Sequence, residues 1–244
     1  MGLHGREIIV VENAEALAQA AAARLLARIE AQPGRIAICL TGGSTPQQFY
    51  ELLATPAWRS RIPWPRVEWF IGDERCVPQS DRHSNFGVAR RAFLDACAPV
   101  SNMHPIPTAE ADEAAQTYEK MMRGFYRGST LTPDRPLFDL VLMGIGPDGH
   151  TASLFPGYAA THETDHWAVG VQHVPVAPFL PRVTLTFPVL ASCREMLFLV
   201  SGSDKREIVT RALDDDTLPA SQAHSSQQTV WLMDLAAAPE RLHG

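Results

Sequence analysis

The sequence has few cysteines and no closely spaced cysteine pair. Its 244 residues include four cysteines, and these lie far apart, at Cys39, Cys76, Cys97 and Cys193. This spacing disfavours a disulfide-stapled secreted domain and a Cys-x-x-Cys redox or zinc site. Three of the four stand beside apolar runs, which favours buried free thiols in a reducing compartment.

Long apolar runs and an excess of positive charge are also missing. The apolar stretch from Ala14 to Ile29 carries Glu15, Arg24 and Arg28, so it is too polar for a membrane span or a signal peptide. The net charge of −6 disfavours nucleic acid as a partner, although a local cluster of cations can still bind a small phosphorylated molecule. We expect a cytoplasmic protein without membrane or nucleic-acid partners, as a monomer or small homo-oligomer.

Patterns typical of a metal site or a serine nucleophile are absent from the sequence. The nine histidines form no His-Glu-x-x-His motif and have no cysteine partners at ligand spacing. There is also no Gly-x-Ser-x-Gly nucleophile elbow. The sequence therefore predicts no metal and no cofactor, and a water nucleophile is favoured over a covalent serine.

The residues that are present predict an α/β fold. The composition, 45% hydrophobic and 20% charged, is ordinary for a globular domain. Apolar runs that read as strands alternate with helical patterns, which is typical of an open, mostly parallel sheet flanked by helices. We expect one domain over residues 1–244. The predicted strands are Glu7–Val11, Arg35–Leu40, Val67–Ile71, Phe138–Met143, Trp167–Val171, Val183–Phe187, Glu195–Val200 and Thr229–Met233. The predicted helices are Ala14–Glu30 (capped by Asn13), one starting near Pro46, Asn85–Cys97, about Glu110–Tyr126, and Lys205–Leu213.

Two loops that follow predicted strands have the chemistry of anion binding. Ligands of open parallel sheets bind beyond the carboxyl ends of the strands. After Leu40, the residues Gly42, Gly43, Ser44 and Thr45 combine close backbone approach with hydroxyl donors, and a helix begins there. After Val200, Lys205 stands in the first turn of a helix, where a cation opposes the helix dipole unless it binds an anion. Arg182, before another strand, is a second candidate cation.

The other two loops carry acidic and basic side chains. Asp73, Glu74 and Arg75 follow the strand that ends at Ile71, either as a solvated cluster or as groups that bind a polar substrate. The segment His83-Ser84-Asn85, a few residues later, is a candidate helix cap. After Met143, Gly144, Gly146 and Gly149 form a Gly-x-Gly-x-x-Gly stretch that includes Asp148, and His150 stands directly behind it. Asp148 puts negative charge where a dinucleotide pyrophosphate would lie, so we interpret His150 as a general base and Asp148 as the residue that orients it.

The ordered set of these motifs resembles the 6-phosphogluconolactonase family, within a wider group that includes the glucosamine-6-phosphate deaminases. The motifs span roughly residues 5–235 and include Thr41–Pro46, Asp73–Arg75, Ser84-Asn85, Gly144–Pro156, Arg182–Thr186 and Gly202–Lys205. The resemblance implies a modified Rossmann-like fold and hydrolysis of 6-phospho-D-glucono-1,5-lactone. It also implies that His150 is the base on water and that Ser44, Thr45, Arg182 and Lys205 hold the phosphate with the Gly43 loop. Arg75 is expected to contact either the lactone oxygen or the phosphate.

Two other functions stay open from the sequence. A deaminase normally has a glutamate after the histidine loop, in a Phe-Asn-Glu-Pro-Gly run, but Phe155 stands at that position here. Arg75 likewise replaces the aromatic residue that usually follows Asp-Glu in deaminases. A non-catalytic sugar-phosphate sensor is the other alternative, and no appended DNA-binding segment supports it. The lactonase is the favoured hypothesis.

Overall fold

The computed structural model describes residues 5–242. Its central layer is a β-sheet. The strands are β1 Arg6–Val11, β2 Ile36–Leu40, β3 Val67–Ile71, β4 Asp73–Arg75, β5 Phe138–Met143, β6 Ala168–Val171, β7 Arg182–Leu185, β8 Cys193–Val200 and β9 Gln228–Asp234. Six of them form one sheet in the order β1-β9-β8-β5-β2-β3, and every neighbouring pair is parallel. The predicted open, mostly parallel sheet is confirmed.

Helices connect the strands of this sheet. They are α1 Ala14–Glu30, α2 Ser44–Ala54, α3 Pro56–Arg59, α4 Asn85–Ala89, α5 Asp95–Cys97, α6 Ala111–Tyr126, α7 Phe187–Ala191, α8 Arg206–Asp214 and α9 Pro219–Gln222. A π-helical turn, Arg90–Leu94, joins α4 to α5, so the single helix predicted over 85–97 changes its hydrogen-bond pattern midway. None of the helices within residues 5–242 is both long enough and apolar enough to cross a bilayer.

The core of the large sheet follows from its sequence. All five residues of β2 are buried, because a central parallel strand is covered on both faces. Helix α1 buries a stripe that includes Leu17, Leu25 and Ile29. Its predicted cap is confirmed, since the Asn13 side chain accepts a hydrogen bond from the Ala16 N–H at 3.0 Å.

A second, three-stranded antiparallel sheet, in the order β4-β7-β6, was not predicted. The runs 167–171 and 183–187 were expected to pair in parallel with the rest, and that expectation is wrong. Strand β4 lies inside a segment predicted as a polar loop, because its three residues are Asp73, Glu74 and Arg75. These polar side chains are tolerated because each finds partners at the site described next.

Candidate active site

A cavity of about 230 Å³ opens at the carboxyl ends of β2, β5 and β8, beside β4 and β7 of the small sheet. All four loops singled out from the sequence reach it. The predicted site residues that line it are Gly42, Gly43, Ser44, Thr45, Asp73, Arg75, Gly146, His150, Arg182 and Lys205. Three other predicted residues, Glu74, Asp148 and Gly149, do not line it, and each has a different place in the structure.

Two buried tyrosines fix the ends of the neighbouring strands β2 and β3. The Tyr50 hydroxyl accepts a hydrogen bond from the Thr41 N–H at 3.1 Å and donates one to the Thr41 carbonyl at 2.7 Å. The Tyr118 hydroxyl does the same for Ile71, at 3.1 and 3.0 Å. Each phenol thereby satisfies both backbone groups of a residue where the sheet ladder stops. The loops that follow these residues consequently start from fixed positions.

The first loop presents the amino end of α2 to the cavity. Gly43 precedes the helix with a φ of 104°, a conformation that favours glycine, and no side chain among the described residues caps the helix. The helix begins at Ser44, two residues before the predicted start at Pro46. Free N–H groups at a helix amino end attract anions, so Ser44 and Thr45 lie where an anion binds well.

His150 and Asp148 form a hydrogen-bonded pair at the wall of the cavity. The imidazole Nδ1 lies 2.5 Å from Asp148 Oδ1, and the same carboxylate oxygen accepts the His150 backbone N–H at 3.1 Å. Burial acts to raise the pKa of Asp148, but the hydrogen bond and charge of His150 outweigh it and lower that pKa below its usual value. An ionised Asp148 holds the proton on Nδ1, which leaves Nε2 as the basic nitrogen.

Arg75 and Arg182 stand directly opposite each other in the register of β4 and β7. The Nε atoms of both are buried without a hydrogen-bond partner among the described residues. Arg182 is only 3% exposed, and its guanidinium makes two contacts at 3.5 Å, with Ser153 Oγ and the Pro178 carbonyl. Burial lowers the pKa of Arg182 and Arg75 lowers it further, while Asp73 and Asp148 oppose the shift. A buried cation beside a half-buried one, both with unused donors, favours an anionic ligand.

Lys205 enters the cavity from the fourth loop. It ends a short 3₁₀ turn, Ser203–Lys205, directly before α8, so it caps the helix rather than standing in its first turn. Its ammonium donates to the Ile145 carbonyl at 3.1 Å, and the described residues offer it no other hydrogen bond. The loop itself is held by Asp234, whose carboxylate accepts the Ser201 hydroxyl and the Gly202 N–H.

The polar partners of Asp73 could not be predicted from the sequence. Its carboxylate accepts the Ser153 hydroxyl at 2.7 Å and the Asn85 amide at 3.3 Å. Asn85 also lines the cavity, whereas the sequence suggested only a capping role for the segment around it. That capping role is confirmed for Ser84, whose Oγ accepts the Gly87 N–H of α4 at 2.9 Å. The contacts of Asn85 and Ser153 join residues distant in sequence, so no local pattern signals them.

Glu74 and Gly149 support the site from behind. Burial raises the pKa of Glu74, against hydrogen bonds from the N–H groups of Phe86, Asn85 and Arg75 and from the Ser84 hydroxyl. Its carboxylate thus holds the amino end of α4. Gly149 has a φ of 86°, and a Cβ there would stand 2.9 Å from the Leu218 side chain. This turn brings His150 back beside Gly146.

Within residues 5–242, no group of three or more His, Cys, Asp or Glu side chains is arranged to hold a metal ion. Two of the histidines considered in the sequence, His4 and His243, lie outside the described residues.

Most of the chain matches a known protein family. Residues 12–231 match the family model described as glucosamine-6-phosphate isomerases/6-phosphogluconolactonase. The 6-phosphogluconolactonase of Synechocystis is 37% identical, with 95% of this chain and 96% of that protein covered. The corresponding figures for the 6-phosphogluconolactonase of Mycobacterium leprae are 36%, 94% and 96%. The crystal structure of the Thermotoga maritima 6-phosphogluconolactonase superposes with a TM-score of 0.81 at 30% identity, covering 94% of this chain and 99% of that one. The chain belongs to the glucosamine-6-phosphate isomerase/6-phosphogluconolactonase family.

Proposed function

We propose that this protein is a 6-phosphogluconolactonase, which hydrolyses 6-phospho-D-glucono-1,5-lactone to 6-phospho-D-gluconate in the oxidative pentose phosphate pathway. The observation that carries the proposal is His150, which lies with its Nδ1 2.5 Å from Asp148 Oδ1 and lines a cavity that Arg75, Arg182 and Lys205 also line. A base and a cluster of cations are what a phosphorylated ester substrate requires. The full-length relatives named 6-phosphogluconolactonase support the same substrate.

In this mechanism His150 Nε2 takes a proton from water, and the resulting hydroxide attacks the lactone carbonyl. Asp148 holds the imidazole in the tautomer with Nδ1 protonated and stabilises the imidazolium that forms. The bond between the carbonyl carbon and the ring oxygen then breaks, and His150 returns the proton to that oxygen, which leaves as a hydroxyl. This chemistry requires no nicotinamide, flavin or metal, since the nucleophile is water and no electrons are transferred.

The phosphate is held, in this proposal, by the amino end of α2 and by the three cations. The N–H and hydroxyl groups of Ser44 and Thr45 supply neutral donors, and Lys205 supplies an ammonium with two unused N–H groups. Arg75 lies beside Arg182, so one phosphate group can be reached by both. This proximity favours a phosphate contact for Arg75 over a contact with the lactone oxygen.

The deaminase alternative is disfavoured by the residue that packs on the imidazole. The Phe155 ring lies 4.6 Å from the His150 ring, and Phe155 is fully buried. An apolar ring cannot relay the proton that opening of an amino-sugar ring requires. A superposable monomeric glucosamine-6-phosphate deaminase is 20% identical, with a TM-score of 0.77, which indicates a shared fold.

We place the reaction in the cytoplasm, because all four cysteines are free thiols, two of them buried, as in proteins of reducing compartments. The test is the rate of 6-phosphogluconate formation from fresh lactone, followed by a coupled dehydrogenase and corrected for spontaneous hydrolysis. A large enzyme-dependent rate that is lost in His150→Ala is expected. Ammonia release from glucosamine 6-phosphate instead would identify a deaminase, and phosphate-ligand binding without turnover would identify a sensor.

A further inference from the structure

The side chain of Asn85 lies between two charged residues of β4. Asn85 is 3% exposed, and its Oδ1 accepts a hydrogen bond from Arg75 Nη1 at 2.5 Å. Its Nδ2 donates to the Asp73 carbonyl oxygen at 2.9 Å and to Asp73 Oδ1 at 3.3 Å. Because Arg75 can only donate and these Asp73 oxygens accept, the two partners fix the orientation of the amide. An aspartate or an apolar side chain would leave one of them unpaired or repelled.

The backbone of Asn85 is held independently of its side chain. Its N–H donates to Glu74 Oε1 at 2.7 Å, and the next N–H, of Phe86, donates to Glu74 Oε2 at 2.8 Å. The buried Glu74 carboxylate therefore fixes the first residue of α4 against β4. The amide of Asn85 consequently extends into the cavity wall from a fixed anchor, which is the geometry that a positioning residue requires.

The other side of the amide is covered by the first loop, which contains Gly42. A Cβ added at Gly42 would stand 2.0 Å from Asn85 Oδ1 and 2.6 Å from Nδ2, far inside contact distance. The peptide backbone at Gly42 therefore packs directly on the amide. Asn85 is in contact with both the first loop, which leads into α2, and Arg75 of the second loop.

We propose that Asn85 is a positioning residue, which holds Arg75 at the spacing from the Gly42–Thr45 loop that a phosphate group requires. This proposal rests on the phosphate site of the proposed function. Arg75 Nη1 makes two hydrogen bonds, one to the His83 carbonyl at 2.8 Å and one to the Asn85 amide. Without the amide, Arg75 keeps its charge and its hydrogen bond to the His83 carbonyl, but it loses one of the two contacts that fix its direction.

The test is a double-mutant cycle of Asn85→Ala and Arg75→Ala. Each single variant should raise KM for the phosphorylated lactone about tenfold, leave kcat within about threefold, and have little effect on unphosphorylated gluconolactone. The KM of the double variant should exceed that of Arg75→Ala by no more than about twofold, because the effects of coupled residues are not additive. The proposal would be overturned if the KM of the double variant rose by the product of the two single effects. It would also be overturned if the variants lost activity equally on both substrates.

A matched control separates positioning from folding. Asn102 is also a buried asparagine, and its Nδ2 donates to the carbonyl oxygens of Pro65 and Val67 at 3.1 Å, but it does not line the cavity. Asn102→Ala should lower the melting temperature and leave KM of the folded enzyme unchanged. If Asn85→Ala behaves in the same way, Asn85 is only structural and the proposal is wrong.

Gly42 provides a second variant that keeps the asparagine. Gly42→Ala should force the Asn85 amide away from Arg75 and raise KM as Asn85→Ala does, and it should cost little more once Asn85 is already alanine. A Gly42→Ala enzyme with normal KM would contradict the proposal. Gly34→Ala, at a position with nothing within 4 Å of the added Cβ, is the control.

The same cycle can be measured without turnover, by titrating inorganic phosphate into each variant in a calorimeter. Coupled losses of phosphate affinity would support the role of Asn85 even if the wild-type protein does not hydrolyse the lactone. In that case only the reaction proposed for the site would fail. Phosphate binding that is normal in Asn85→Ala but weak in Arg75→Ala would overturn the inference on Asn85 alone.

Discussion

The imidazole of His150 lies so close to the backbone of Gly146 that a Cβ at Gly146 would stand 2.0 Å from His150 Cε1 and 2.1 Å from Nδ1. The Gly146 N–H also donates to the His150 carbonyl oxygen at 2.8 Å. The imidazole therefore packs directly on the Gly146 backbone, and Asp148 hydrogen-bonds to its Nδ1. This explains why a glycine-rich stretch precedes the histidine without invoking a dinucleotide.

Gly146→Ala should disable the site with little effect on the fold. To make room for the added methyl group, either the His150 ring or the backbone must move by about an ångström, and either movement breaks a hydrogen bond. We expect the ring to be displaced from Asp148. We expect kcat to fall about 10²-fold, as for a misplaced catalytic group. Steady-state kinetics of Gly146→Ala and of the control Gly34→Ala would measure this. A Gly146→Ala enzyme with wild-type kcat would mean that the ring position is not critical.

His150→Ala should lower kcat by about 10²–10⁴-fold and leave the affinity for 6-phosphogluconate largely unchanged. The chain contains a matched control: His83 Nδ1 lies 2.9 Å from Asp81 Oδ1 in the same Asp-x-His arrangement, but His83 does not line the cavity. His83→Ala should retain kcat. Similar losses in both variants, or none in His150→Ala, would remove His150 from the proposed mechanism.

The pH dependence of stability should reveal the Asp148–His150 contact. Because the pKa of Asp148 is lowered in the folded state, its ionised form stabilises the fold at pH values above the usual aspartate pKa of about 3.9. That contribution is lost as the pH falls through the lowered value. Urea unfolding of wild type and Asp148→Asn should therefore differ most at neutral pH and converge in acid. His150→Ala should remove most of this difference, and a gap that widens in acid would contradict the assignment.

Much of the fold could be predicted because its signals are local. The Asn13 cap, the bounds of α1 and the buried runs Val67–Ile71 and Phe138–Met143 agree with the structure residue for residue. Strand β4 could not be predicted, because a charged run favours a loop and only pairing with β7 makes it a strand. Asn85 was missed as a site residue for a related reason: its partners lie across loops, and a single asparagine carries no periodic signal.

Lys205→Ala should raise KM for the phosphorylated lactone about 10–100-fold, with little effect on unphosphorylated gluconolactone. Lys120, exposed on α6, is the only other lysine of the chain, so Lys120→Ala is a matched control that should behave as wild type. Parallel KM measurements on both lactones would test this. Equal losses on the two substrates would place Lys205 away from the phosphate.

Phe155 should matter for both packing and chemistry, because its ring is shared by two functional side chains. It lies 4.6 Å from the His150 ring, and the Arg182 guanidinium carbon is 5.5 Å from the Phe155 centroid. Phe155→Leu keeps an apolar side chain but removes the flat surface that both groups contact. We expect a stability loss of about 1–2 kcal/mol together with a several-fold lower kcat/KM.

The control for this variant is Phe198→Leu. Phe198 is equally buried, but its ring stacks on Trp231, 4.3 Å away, rather than on His150 or Arg182. Its replacement should cost a similar amount of stability and leave kcat/KM unchanged, as measured by urea unfolding and steady-state kinetics. If the two variants lose the same stability and neither loses activity, Phe155 is only a core residue. A selective loss in Phe155→Leu would mean that the apolar ring, at the position where deaminases carry a carboxylate, supports the base rather than merely filling space.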